Sequence, residues 1–252
     1  MHCRLQKIDL LHNVDCKGVA SAAIANCLCE IVYRREIPGM MTHDDSLEWL
    51  NADLDLFYQN QKVENKIPTL VLENFVNLQK PLQNYPMFKG PGIKAANTRA
   101  LMPWLQSCLE NLDRTDEQKQ RRFQLVSLFN DFFELIYGEG EWLSEATAQR
   151  LQKIILQILK RCAWLHEWAL ENGGHIRWQL VPKHHYFFHI ALFCVGYCRN
   201  PRCYQTYIDE SFVGRMCRVM ANSQDGPFHD ALQMTTLEKY STALSIQFSF
   251  DD

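Results

Sequence analysis

Apolar residues recur along most of this chain at three- and four-residue spacing, the mark of helices that bury one face. Val19, Ala23, Ile24, Cys27, Leu28 and Ile31 keep that rhythm and predict a helix from Val19 to about Arg34, stopped by Pro38-Gly39. Asp45 or Ser46 is expected to cap a short helix carrying Leu47, Leu50, Leu54 and Phe57. Lys94 to Leu112 reads as a helix kinked or broken near Pro103, because proline has no N–H to donate. Glu117 to Tyr137 is amphipathic through Phe123, Val126, Phe129, Phe133 and Ile136. Ser144 then caps the longest helix, whose stripe is Leu151, Ile154, Ile155, Ile158, Cys162, Leu165 and Ala169. Asn172-Gly173-Gly174 ends it. Lys183 to about Cys198 returns to helix, and Arg199-Asn200-Pro201 makes a turn. Two further helices are expected, Asp209 to about Asn222 and Thr235 toward Ile246.

Two segments read as strands. Residues 4–11 form one, and His175–Val181, where Ile176, Trp178 and Leu180 alternate, form the other. Two strands do not make a self-sufficient sheet. Residues 81–93, with three Pro and two Gly, are the clearest loop. The expected fold class is therefore mainly α, a single helical domain over 1–252 with one or two short strands.

Composition narrows the function. Hydrophobic residues are 47% and charged residues 22%, ordinary for a globular chain. A formal net charge of -3 gives no global field for a polyanion, so any nucleic-acid surface must be local. Residues 44–73 hold seven Asp or Glu against two Lys, which a solvated helix face explains. Ten cysteines are scattered through the chain, mostly within apolar patterns, as reduced and buried thiols would be. The chain opens Met1-His2-Cys3-Arg4 without an apolar leader. No uninterrupted apolar run reaches the roughly 18 residues of a membrane span. The expectation is an intracellular protein, nuclear or cytoplasmic, with no membrane partner.

Residues 9–19 read Asp-Leu-Leu-His-Asn-Val-Asp-Cys-Lys-Gly-Val. A carboxylate at a strand end is followed by His12 and by Lys17-Gly18-Val19 opening a helix. Pro182-Lys183-His184-His185-Tyr186-Phe187-Phe188-His189 forms a second motif, and Asp209-Glu210-Ser211-Phe212-Val213-Gly214 a third. Together these resemble the C-terminal part of RNase H-like DDE transposases of the CACTA and Plavaka kind. Their second catalytic aspartate sits in a D-[LM]-[LM]-H segment before a helix that opens with Gly. A P-K-x-H-x-x-x-H helix comes late, and a catalytic glutamate follows it.

The resemblance implies that Asp9 and Glu210 are catalytic and ligate Mg²⁺ (or Mn²⁺), with Asp209 the rival of Glu210. Two metal ions clamped by carboxylates serve DNA cleavage and strand transfer. Residues 40–172 would correspond to a helical insertion. His12, Lys183, Arg199, Arg202, Arg215 and Arg218 would contact DNA. Residues 160–218 carry eight Lys or Arg against four Asp or Glu. The family needs an earlier aspartate, and none precedes Asp9. The expectation is therefore a truncated or remnant transposase, inactive alone, whose protein partner is a second copy or a missing N-terminal transposase region.

Blander explanations stand beside these. Asp9 can be a surface acid and His12 a helix-flanking histidine. Glu210 suits a helix N-terminus on dipole grounds alone. The basic residues suit a solvated face. Trp164, Trp168 and Trp178 can stack on bases but serve more often in cores and interfaces. His184, His185 and His189, with Cys194, Cys198 and Cys203, invite zinc, yet lack the tight pairs of a structural site. No phosphate-binding glycine loop or nucleophile elbow is present. The alternative function is a non-catalytic α-helical interaction protein.

Overall fold

The computed structural model describes residues 9–15, 17–63, 66–67, 69–76, 86–90, 93–172 and 177–204. The chain divides into two units, Met1–Tyr204 and Gln205–Asp252. All described residues belong to the first. Asp209, Glu210, Arg215, Arg218 and the last two expected helices lie outside them.

The described residues are mainly helical. α1 spans Val19–Tyr33, α2 His43–Gln61, α3 Ala95–Asn111, α4 Glu117–Gly138, α5 Glu145–Asn172 and α6 Pro182–Tyr197. A π-helical turn, Leu11–Asp15, precedes α1. Short 3₁₀ turns lie at Leu72–Asn74 and Pro201–Tyr204. Among the described residues there is no β-strand. The single bridge recorded among them pairs Trp142 with Arg199.

α1 is the axis of the fold. Every residue from Val19 to Val32 is buried. Alanines and Ser21 let α2, α3, α4 and α6 approach it closely. Leu11–Tyr33 is long and apolar enough, by length and a mean hydropathy of 1.2, to cross a membrane, and 88% of its best window is buried inside the protein. That burial is what a core helix shows. The count of uninterrupted apolar residues passed over it because Asn13, Asp15, Lys17 and Glu30 break every run.

α5 buries all seven residues of the expected stripe, plus Ala148. Ser144 Oγ accepts the Thr147 N–H at 3.1 Å and so caps it as expected. α4 and α6 pack on α5, and α3 packs on α4. α3 runs unbroken through Pro103.

Three expectations are corrected. α2 is longer than a short helix, and its cap is Thr42, not Asp45 or Ser46. Thr42 Oγ1 accepts the Asp45 N–H, and Asp45 Oδ2 accepts the Thr42 N–H at 2.9 Å, a reciprocal capping box. These bonds from Thr42 hold the Asp45 carboxyl below its usual range. Of the strand expected over 4–11, the described part is helical instead, with Leu10 and Leu11 entering the turn before α1. Residues 177–181 are irregular rather than a strand. Trp178 adopts a left-handed backbone (φ 56°), and its N–H goes to Asn26 Oδ1 at 2.8 Å instead of a ladder.

One charged pair lies inside the bundle. The Arg122 side chain is 0% exposed and Glu36 is 4% exposed. Arg122 Nη2 donates to both Glu36 oxygens at 2.6 and 2.7 Å. Removing Arg122 leaves the buried Glu36 carboxylate only Arg34, at 3.9 Å, whereas removing both members of the pair removes the buried charges together. Arg122→Met should lower stability by about 3–5 kcal/mol in urea unfolding. The double variant Arg122→Met/Glu36→Leu should recover most of that loss. Equal midpoints for wild type and Arg122→Met would contradict this account.

Candidate functional site

The segment that carries the resemblance folds as one compact unit. Asp9 begins it as a helix cap. Its Oδ1 accepts the Leu11 N–H at 3.0 Å, and the Asn13 N–H returns to the Asp9 carbonyl at 3.1 Å. The His12 ring pairs through Nδ1 with Asp9 Oδ2. Leu10, Leu11 and Val14 plug into the core, each 0% exposed. Asp9 therefore sits at the start of a helical turn, with its side chain 22% exposed.

The turn then reverses tightly. Lys17 takes a left-handed conformation (φ 53°). Gly18 follows, and its Cα faces the backbone of the turn. A Cβ there would lie 2.3 Å from the Asn13 carbonyl oxygen and 2.4 Å from Val14 backbone atoms. The glycine of the motif is thus required by backbone packing, because no rigid carbonyl can yield that space. α1 starts from Gly18, whose carbonyl accepts the Ala22 N–H at 2.9 Å.

The second motif closes on the first. Lys183 Nζ donates to the His12 carbonyl at 2.6 Å and to the Lys17 carbonyl at 2.7 Å. Asn13 Nδ2 donates to the Lys183 carbonyl at 3.1 Å. The ammonium thus caps the carbonyl end of the turn, where helix carbonyls favour a cation. Its role here is to hold protein backbone. Of the residues expected to act together, the fold brings Asp9, His12 and Lys183 to one place.

Arg199 and Arg202 lie elsewhere. α6 separates them from Lys183 by about 24 Å, at 1.5 Å per residue over its 16 residues. Arg199 pairs with Glu141 at 2.5 Å and stacks on Trp142 and Tyr204. Arg202 donates to the Tyr137 carbonyl at 3.3 Å and lies over its ring. Trp164 and Trp168 carry Arg121 and Arg34 over their rings. Trp178 is core.

Sequence reasoning missed Asp15 and Arg99. The Asp15 side chain is 0% exposed, and its Oδ2 accepts from Arg99 Nη1 at 2.7 Å. Thr98 Oγ1 donates to the Asp15 carbonyl at 3.2 Å. These contacts tie the turn to α3. Asp15 stood inside the quoted motif, but no local pattern pointed to Arg99, 84 residues later.

The chemistry of the donors decides what the site can hold. Mg²⁺ prefers several oxygen ligands. Among the described residues no group of three His, Cys, Asp or Glu gathers to hold a metal. One carboxylate supplies too few oxygen ligands for a Mg²⁺ centre by itself. Comparison with known protein families, curated proteins and solved structures returns no match.

The histidine after Lys183 adds a pH dependence. His184 Nδ1 lies 3.1 Å from the Val181 N–H, which it accepts when neutral. Burial pushes the His184 pKa below its ordinary 6.5; a bond to the Val181 backbone opposes this, and like-charge repulsion from His166 adds to it. A lowered basic pKa means the unfolded chain binds the proton more readily. The resulting stability is fully present above about pH 6.5 and is lost as pH falls toward the folded value. Urea midpoints of wild type should therefore fall more steeply from pH 7.5 to 5.5 than those of His184→Gln. Parallel pH profiles would contradict it. Gly18→Ala should cost at least about 3 kcal/mol, at or above the upper end of overpacking penalties, because backbone must move. A loss under about 1 kcal/mol would show that the turn yields.

Proposed function

We propose that this chain derives from an RNase H-like DDE-type DNA transposase of the CACTA/Plavaka kind. It corresponds to the part that bears the second catalytic acid and the helical insertion. The observation that carries this is the meeting of the two motifs. The Asp9–Val19 segment and the Pro182–His189 helix start are about 170 residues apart in sequence. They are joined through Lys183, His12, Lys17 and Asn13. Their meeting in the fold supports the resemblance, which otherwise rests on short motifs. Asp9 is assigned as one acid of a site for Mg²⁺ or Mn²⁺; Glu210, with Asp209 as its rival, is the second acid that the resemblance implies and lies outside the described residues. DNA is the assigned partner, with His12, Lys183, Arg199, Arg202, Arg215 and Arg218 the residues that the resemblance gives to it.

A second function, a non-catalytic helical interaction protein, is favoured by a separate observation. α6 and its approach leave Leu180, Tyr186, Phe188, Leu192 and Tyr197 exposed. Apolar side chains so concentrated often mark a contact surface.

Mn²⁺ titration followed by the paramagnetic resonance of the free ion separates the two. Asp9→Asn keeps an oxygen to accept the Leu11 N–H, so the turn survives while the charge is lost. Wild type should bind Mn²⁺, and Asp9→Asn and Glu210→Gln should each weaken binding by about tenfold or more. Indistinguishable binding in all three would overturn the metal assignment and leave the interaction protein.

A further inference from the structure

We propose that His185 and His189 form a two-nitrogen chelate for a late first-row divalent metal, Cu²⁺ first and Ni²⁺ next, on the outward side of α6. The two rings are four residues apart and share one helix face. That face is opposite the one formed by Phe187, Ile190, Ala191 and Cys194, which are all buried. The two Nε2 atoms converge to 2.9 Å, with the rings 88° apart.

Imidazole nitrogens sit about 2.05 Å from such metals, so two of them on one ion lie about 2.9–3.3 Å apart, close to the separation of the metal-free pair. Square-planar or tetragonal nitrogen coordination is the preference of Cu²⁺ and Ni²⁺, and Cu²⁺ also heads the affinity order. No thiolate joins from the same helix face. Cys194 is 0% exposed on the buried side, and burial pushes its thiol up to about 12. His184 is turned away and bonded to Val181. The site is therefore a two-histidine chelate completed by water, and not the Cys–His zinc site weighed from the sequence.

In the metal-free pair one Nε2–H bridges to the other nitrogen. Metal entry moves that hydrogen to Nδ1 of the same ring, so both Nε2 lone pairs become available and no bond other than N–H is remade. Protons compete for the same lone pairs, so affinity should rise with pH.

The test uses the full chain with accessible thiols alkylated, because Cys203 is exposed and would compete. CuCl₂ is titrated by calorimetry into wild type, His185→Gln, His189→Gln and the double variant, with helical circular dichroism confirming the fold. The double variant should lose one Cu²⁺ equivalent. Each single variant should bind that equivalent about 100-fold more weakly, as expected when one tooth of a chelate is removed. Wild-type Cu²⁺ should show two-nitrogen hyperfine splitting, and Zn²⁺ should bind more weakly than Cu²⁺. Equal stoichiometry and affinity in wild type and the double variant would overturn the proposal and leave the 2.9 Å contact as a ring–ring hydrogen bond. This chelate does not depend on the transposase assignment, and the Mn²⁺ titration at Asp9 can fail without touching it.

Discussion

A helix buried on every side must find partners for its polar side chains among its neighbours, and the rest of this fold is arranged around that demand from α1. Ser21 Oγ donates to the Phe88 carbonyl at 3.0 Å. Asn26 accepts the Trp178 N–H through Oδ1 and donates to the Ala22 carbonyl through Nδ2. Glu30, 1% exposed, meets Arg177 at 3.1 Å and Arg34 at 3.7 Å. Of these partners, Phe88, Arg177 and Trp178 belong to irregular segments. Apolar packing fixes where the long helices lie, because it is broad and forgiving. The polar residues of α1 fix where residues 86–88 and 177–178 lie, because an unpaired buried group is costly.

This division explains what was legible in the sequence. α5 could be read residue by residue because its stripe depends only on the period of the helix and on one apolar side. α4 was read nearly as well, but its face is turned slightly. Phe123 is only partly buried and Arg122 takes the core position beside Val126 and Phe129. Periodicity places a charge outward by default. Only Glu36, 86 residues away, makes the inward choice acceptable, and no local pattern carries that information. The same limit produced the strand expected over His175–Val181. Alternation of Ile176, Trp178 and Leu180 fits a strand, but a strand needs an edge to pair with. Asn26 supplies a single hydrogen bond to that backbone instead.

The candidate site shows the converse. Gly18 and Lys183 stood out in the sequence through a resemblance, and the fold supplies physical reasons for both. Glycine is needed because two backbone stretches touch. Lysine suits the position because one ammonium reaches two backbone carbonyls, those of His12 and Lys17, at once. Asp9 likewise gains a structural role as a cap. Its Oδ1 accepts the Leu11 N–H and its Oδ2 pairs with the His12 ring.

The path of the chain bears on the proposed insertion. An inserted domain must return the chain to where it left, since an insertion whose ends lie apart would pull the host fold open. The proposed insertion, residues 40–172, lies within a longer excursion that leaves at Lys17 and returns at Lys183, 166 residues later. The gap between them is spanned by one lysine side chain. Closing so long a loop costs only slowly more as it lengthens, whereas its ends must be held by specific bonds. The Lys183 ammonium, its two carbonyls and the Asn13 amide supply those bonds.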